Sequence, residues 1–152
     1  MNIAMKPPGG KMTVAWLGTE YGITVRRADT AGLIGVFESV VPARRGPPVH
    51  VHHNEDELIH VIAEPYEFWL DGETFVKLPG DTVFLPRGVP HTFRVASDKP
   101  GRNLTFFTPA GLEEFFIEAS ERQLAMPEDM AAIVELGDRY GIEFRGPANW
   151  GD

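Results

Sequence analysis

Cysteine is missing from this sequence of 152 residues, and several kinds of chemistry are excluded with it. Disulfide bonds, thiolate nucleophiles and thiolate metal ligands all need a cysteine. Basic residues are also scarce, because 14 Lys and Arg stand against 22 Asp and Glu and the net charge is −8. Nucleic acids and anionic membranes bind basic surfaces, so neither is expected as a partner.

Long hydrophobic runs are missing as well. No stretch reaches the length of a membrane span, and the opening MNIAMKPPGGK lacks the apolar region of a signal peptide. A cytoplasmic location is therefore expected. The length is typical of one domain, and we expect a single domain over residues 1–152.

Sixteen glycines and thirteen prolines divide the chain into short segments rich in Val, Ile, Phe and Thr. Such segments are typical of β-strands, and Asp71-Gly72 favours a two-residue hairpin turn. The prediction is an all-β barrel over about 12–109. Apolar residues at helical spacing from Leu112, and helix start and stop signals at Pro127 and Gly141, predict a C-terminal helical extension over about 111–141.

Four of the five histidines lie between His50 and His60, in and just after the run PPVHVHHNEDE. His50 and His52 would share one face of a strand. If residues 53–56 form the turn of a hairpin, Glu57 lies opposite His52 on that face. Two imidazoles and a carboxylate on an otherwise apolar face cost several kcal/mol unless something satisfies them, and a divalent metal would do so. His60 is expected to point away.

The fifth histidine, His91, follows the turn at 86–90 and opens the next predicted strand. If that turn closes a hairpin, His91 faces the same way as Leu85. Three imidazoles and one carboxylate then converge, from His50, His52, Glu57 and His91. This set predicts one divalent first-row transition metal (Fe, Mn, Co, Ni, Cu or Zn), with positions left for water or substrate.

These residues carry a family resemblance, to single-domain cupins. The first cupin motif, G-x(5)-H-x-H-x(3,4)-E-x(6)-G, is matched at its core by His50, His52 and Glu57. The second, G-x(5)-P-x-G-x(2)-H-x(3)-N, is matched by Gly80, Pro86, Gly88 and His91. The chain departs from the motifs at three positions that are not metal ligands in the family, the spacing after Gly46, Glu64 for Gly and Val95 for Asn. The resemblance implies a double-stranded β-helix (jelly-roll-like) barrel with a metal inside.

The C-terminal part, with FFTPAGLEEFF and RYGIEFRGP, is similar to bacterial quercetin 2,3-dioxygenase-like cupins. In that group a His/His/Glu/His site binds a divalent metal, and dioxygen attacks an aromatic substrate that carries an enolic or phenolic oxygen. The resemblance implies that Glu57 is catalytic, as a ligand and as acceptor of the substrate's hydroxyl proton. An aromatic pocket is expected from Phe93, Phe106 and Phe37. A homodimer is expected by resemblance.

Several functions remain open, because one fold supports many chemistries. The first is a metal-dependent, quercetinase-like dioxygenase acting on a small aromatic or enol-bearing substrate. The second is a metal-dependent isomerase or cyclase of the polyketide-cyclase type, in which Glu57 transfers a proton. The third is a non-catalytic cupin that binds a small molecule.

Overall fold

Two antiparallel sheets form the body of the protein in a computed structural model, which describes residues 10–152. Residues 1–9 lie outside this range. They include most of the opening segment that was expected not to be a signal peptide. One sheet has the order β1-β2-β3-β10-β5-β8 and the other β11-β4-β9-β6-β7. The strands are β1 Met12–Trp16, β2 Thr19–Val25, β3 Gly35–Val41, β4 Val49–His52, β5 Asp56–Ala63, β6 Tyr66–Leu70, β7 Glu73–Lys77, β8 Thr82–Leu85, β9 His91–Val95, β10 Gly101–Thr108 and β11 Ile142–Gly146.

The C-terminal helical extension is confirmed. Helices α1 (Leu112–Glu121) and α2 (Met130–Tyr140) follow the barrel, and α2 ends at Gly141 in the left-handed conformation that favours glycine as a helix cap. Phe115, Ile133 and Leu136 are fully buried, so the apolar faces of both helices pack on the body. Neither helix is long and apolar enough to cross a membrane, within residues 10–152.

The turn at Asp71-Gly72 is confirmed as a hairpin. It joins β6 to β7, and Leu70 pairs with Glu73 across it. Both turn residues have positive φ, +48° for Asp71 and +95° for Gly72. A type I′ turn requires positive φ at both positions, so the local sequence fixes this connection.

The hairpins predicted around the histidines are wrong. β4 pairs with β11 and β9, whereas β5 pairs with β10 and β8, so the turn at 53–56 joins one sheet to the other. The turn before His91 does the same, since β8 and β9 lie in different sheets. The alternation of residues along a strand fixes which face each side chain takes, but not which strand is its partner.

Strand β11 was not predicted, and it brings the chain back to the histidines. It starts directly after Gly141 and pairs with β4, placing Ile142 opposite His52 and Phe144 opposite His50. The alternation of Ile142, Glu143, Phe144 and Arg145 is the pattern of a half-buried strand. The last helix and strand therefore help to enclose the region of the candidate site.

Candidate metal centre and its cavity

A cavity of about 410 Å³ lies between the two sheets. It is lined by residues of β2, β3, β5 and β10 from one sheet and of β4, β9 and β11 from the other. At its solvent-exposed part the cavity is lined by Arg45 and Leu17. At its buried part it is lined by His52 and Glu57. The cavity therefore leads from the surface to buried polar side chains.

Three histidines meet at the buried end. His50 on β4 pairs directly with His91 on β9, and their ring centroids are 4.5 Å apart. The His52 ring lies 4.9 Å from that of His50 and 5.3 Å from that of His91. One nitrogen from each ring lies within 4.8 Å of the others, so these three side chains could bind a single metal ion.

Glu57 reaches the histidines from the opposite sheet. Its Oε2 is 3.0 Å from Nε2 of His52 and 3.7 Å from Nε2 of His91. Despite the predicted hairpin being wrong, the side chain points inward, because Glu57 shares the buried face of β5 with Ile59 and Val61. All four predicted ligand residues thus come together, while His60 faces away and contacts Thr82 Oγ1 at 2.8 Å.

Backbone carbonyls orient two of the histidine rings. Nδ1 of His50 lies 2.8 Å from the carbonyl oxygen of Pro48, and Nδ1 of His91 lies 3.1 Å from that of Val89. A carbonyl oxygen can only accept, so Nδ1 carries the hydrogen in both rings. In a neutral ring this arrangement leaves the lone pair on Nε2, the form in which a histidine binds a metal.

Unsatisfied polar atoms mark the same place. Within residues 10–152, His52 Nδ1 and His91 Nε2 are buried without a hydrogen-bond partner, and Glu57 Oε2 is buried beside the His52 and His91 rings without forming a hydrogen bond of regular geometry. A buried donor or acceptor without a partner costs about 1–3 kcal/mol. A cation bound at Glu57 Oε2 and His91 Nε2 would offset that cost, and nitrogen and carboxylate donors suit a first-row divalent metal. The residues present therefore fit such an ion.

Electrostatics favour the protonation states that a metal requires. Burial, together with the nearby charges of His91 and His52, holds the pKa of His50 well below its usual value. Burial alone would raise the pKa of Glu57, but His52 and His91 outweigh it and hold that pKa far below its usual value. His50 is thus neutral and Glu57 ionised near neutral pH.

A row of polar side chains on the inner face of the first sheet escaped prediction. Ser39 pairs with Tyr21 on one side and with Asn103 on the other, and all three line the cavity. Asn103 donates to the Tyr66 hydroxyl at 3.0 Å and accepts from Thr105 Oγ1 at 2.9 Å. The alternation of Asn103 and Thr105 within an apolar strand was the signal available in the sequence.

The predicted aromatic pocket needs one correction. Phe37 and Phe93 line the cavity, but Phe106 does not. Side chains of β10 alternate between its faces, and the inward positions belong to Asn103, Thr105 and Phe107. Phe106 therefore points to the outer face. The aromatic wall is completed by five other side chains: Trp16, Tyr21, Phe115, Phe116 and Phe144.

Glu55 is another buried carboxyl group, 4% exposed, and its Oε2 has no hydrogen-bond partner within residues 10–152. Burial, reinforced by the charge of Glu57, raises its pKa from 4.5 to about 7. Between pH 4.5 and about pH 7, Glu55 binds fewer protons in the unfolded protein than in the folded one. The contribution of Glu55 to the free energy of unfolding therefore falls as pH rises. We expect metal-free Glu55→Gln to gain stability over the metal-free parent between about pH 5 and about pH 8, measured by urea unfolding.

The control for this pH dependence is Glu121→Gln, which changes an exposed carboxylate at the end of α1. Its stability should follow that of the parent across the whole pH range. A difference between Glu55→Gln and the parent that does not grow with pH would contradict the raised pKa of Glu55.

Comparisons with known proteins agree with this architecture. Residues 36–107, which contain all four predicted ligand residues, match the cupin domain family. A segment of 52 residues, 34% of the chain, is 38% identical to quercetin 2,3-dioxygenase from Bacillus subtilis. The match spans only 15% of the length of that enzyme.

Solved structures share the fold at low identity. An RmlC-like cupin from Shewanella frigidimarina aligns with a TM-score of 0.59 and 17% identity, over 68% of this chain and 88% of that one. A protein described as a predicted oxalate decarboxylase from Thermotoga maritima aligns with a TM-score of 0.59 and 14% identity, over 72% and 99%. The cupin barrel predicted from the two motifs is thereby confirmed as the fold of this chain, and residues 36–107 match the cupin domain family.

Proposed function

We propose that this cupin is a metal-dependent dioxygenase acting on a small aromatic or enol-bearing substrate. The observation that carries the proposal is the cavity itself, whose aromatic walls end at the buried cluster of His50, His52, His91 and Glu57. An apolar pocket with a few converging polar groups is typical of a small-molecule site. Here the converging groups are the set that suits a divalent metal.

His50, His52, His91 and Glu57 would hold the ion. When bound, a redox-active divalent metal would polarise a substrate oxygen and supply an electron path to dioxygen. Glu57 would also accept the proton of the substrate's hydroxyl group, because its carboxylate is ionised and lines the buried end of the cavity. A carboxylate at that position can hold the proton without contact with bulk water.

The walls would orient the substrate. Phe37 and Phe93 offer flat apolar surfaces for an aromatic ring. The hydroxyl groups of Ser39 and Tyr21 face the same cavity from the polar row, and burial raises the pKa of Tyr21, so its phenol remains a hydrogen-bond donor. The likeness of one segment to a quercetin 2,3-dioxygenase supports this class of substrate.

Oxygen uptake tests the proposal. Protein made without an affinity tag is loaded in turn with each of the six candidate metals and supplied with quercetin as the probe. With at least one metal we expect oxygen uptake above the protein-free rate by at least about a hundredfold, since enzymes exceed uncatalysed rates by far more. Uptake is measured with an oxygen electrode, and His60→Ala, which changes a histidine outside the cavity, should behave as the parent does.

Two other results would overturn the proposal that this protein is a dioxygenase. Exchange of the substrate's enol proton with solvent, without oxygen uptake, would favour an isomerase or cyclase. Binding of the probe with no turnover for any metal would favour a non-catalytic binding protein.

A further inference from the structure

Among residues 10–152, two charged residues line the cavity besides the histidines: Glu57 where the cavity is buried and Arg45 where it is exposed. Within residues 10–152, no acidic group forms an ion pair with Arg45 and its guanidinium makes no hydrogen bond. Its neighbour Arg44 differs, because Nε of Arg44 lies 3.0 Å from a carboxylate oxygen of Asp98. Arg45 is thus a cation whose hydrogen-bonding capacity is available at the cavity rim.

The backbone holds Arg45 in place. Its carbonyl oxygen accepts from Val95 N at 2.9 Å, and its N–H donates to the carbonyl of Pro42 at 3.2 Å. The next residue, Gly46, lies so close to the carbonyl oxygen of Phe93 that a Cβ there would overlap it. This close approach needs glycine, and it fixes the segment against β9. The backbone from which the Arg45 side chain extends is therefore held at the rim of the cavity.

Aromatic side chains line the same cavity as this cation and the histidine cluster. Phe93 and Phe37 line the cavity, and Tyr21 contacts Phe37 and Phe116 with ring centroids 5.3 and 4.4 Å apart. Arg45 and His50 are five residues apart, so their Cα atoms are separated by at most about 17 Å. The Arg45 and His50 side chains can both extend towards a bound molecule and shorten this gap. A molecule with one aromatic ring, or with two fused rings, can then bridge them.

The overall charge makes the rim arginine distinctive. The chain carries a net charge of −8, which disfavours the approach of an anion. A guanidinium at the opening offers charge-assisted hydrogen bonds in the planar geometry that carboxylates match. A carboxylate on an aromatic molecule would form stronger hydrogen bonds with it than a neutral group would.

From these observations we propose that Arg45 binds a carboxylate on the substrate, and that the cavity selects aromatic acids whose hydroxyl group lies at the opposite end. The placement of that hydroxyl group rests on the proposed function. The binding of the carboxylate does not, because it concerns Arg45 and the aromatic walls alone.

The test compares two probes that differ by one carboxylate, 6-hydroxy-2-naphthoate and 2-naphthol. Their affinities for the full-length, metal-loaded protein are measured by isothermal titration calorimetry, without any turnover. We expect the naphthoate to bind at least about tenfold more tightly, equivalent to about 1.4 kcal/mol. The preference should weaken as salt is raised, because Arg45 is exposed and its charge is screened.

Arg45→Gln should lose this preference while its affinity for 2-naphthol stays unchanged. Arg44→Gln is the matched control and should retain the preference, because Arg44 does not line the cavity. Equal affinities in the parent, undetectable naphthoate binding, or a preference that survives Arg45→Gln would each overturn the inference. Failure of the dioxygenase proposal would instead leave the binding preference intact and abolish only oxygen uptake.

Discussion

Replacing His91 with alanine is expected to weaken binding of a divalent transition metal by more than about a hundredfold. Removing a residue that only hydrogen-bonds a metal ligand already lowers metal affinity by about ten- to a hundredfold, and loss of a ligand should cost more. His91 is 1% exposed, and its Nε2 has no hydrogen-bond partner. Alanine offers no donor in its place, and the site would keep only three of its four predicted ligands. Metal content after dialysis against a competing chelator measures the loss, on protein prepared without an affinity tag.

His60→Ala provides the matched control, because His60 lies on the other face of β5 and contacts Thr82. It should retain as much metal as the parent. Thermal unfolding adds an independent readout, since an ion that binds only the folded state raises the midpoint as its concentration increases. Added metal should raise the midpoint of the parent and of His60→Ala, but not of His91→Ala. Full metal retention in His91→Ala would rule out His91 as a ligand.

Glu57→Gln is expected to lower turnover by about 100- to 10,000-fold, the range typical of general acid–base catalysis. Glutamine has nearly the same shape, so the aromatic probe should still bind, but its amide cannot accept the substrate's proton. Oxygen uptake with quercetin measures turnover, and titration of the probe measures affinity. The two quantities should separate, with turnover falling far more than affinity.

The interpretation depends on the metal content of this variant, which is brought to that of the parent before assay. Glu67→Gln is the control, because Glu67 pairs with Arg94 on β9 and does not line the cavity. Turnover in Glu57→Gln equal to that of the parent would show that another group accepts the proton. A parallel loss of probe binding and turnover would assign Glu57 to binding alone.

The sequence was sufficient to predict the fold and the convergence of the four ligand residues, for a physical reason. Alternation along β4, β5 and β9 determines which side chains enter the interior, and the motif spacing places His50, His52, Glu57 and His91 on inward positions. The sequence did not reveal which strands pair with each other, because pairing depends on contacts between distant segments. His52 and Glu57 meet across the space between the sheets, not across a hairpin.

The cavity wall was harder to predict for a different reason. In β10 the apolar pair Leu104 and Phe106 would be expected to face inward if the interior were an ordinary hydrophobic core. Around this cavity the order is reversed, with Asn103 and Thr105 inside. A site that must bind a polar molecule breaks the usual pattern, and a single sequence carries little sign of that reversal. Arg45 escaped notice because it lies outside both motifs, five residues before His50.

One sheet carries the three histidines of the cluster, His50, His52 and His91, and the other sheet carries Glu57. An ion held by all four would join the two layers by a direct bond. The layers could then separate only by breaking that bond, so large-scale opening of the barrel would compete with metal occupancy. A molecule that reached such an ion would then have to fit the existing cavity of about 410 Å³, which is exposed to solvent at Arg45 and Leu17.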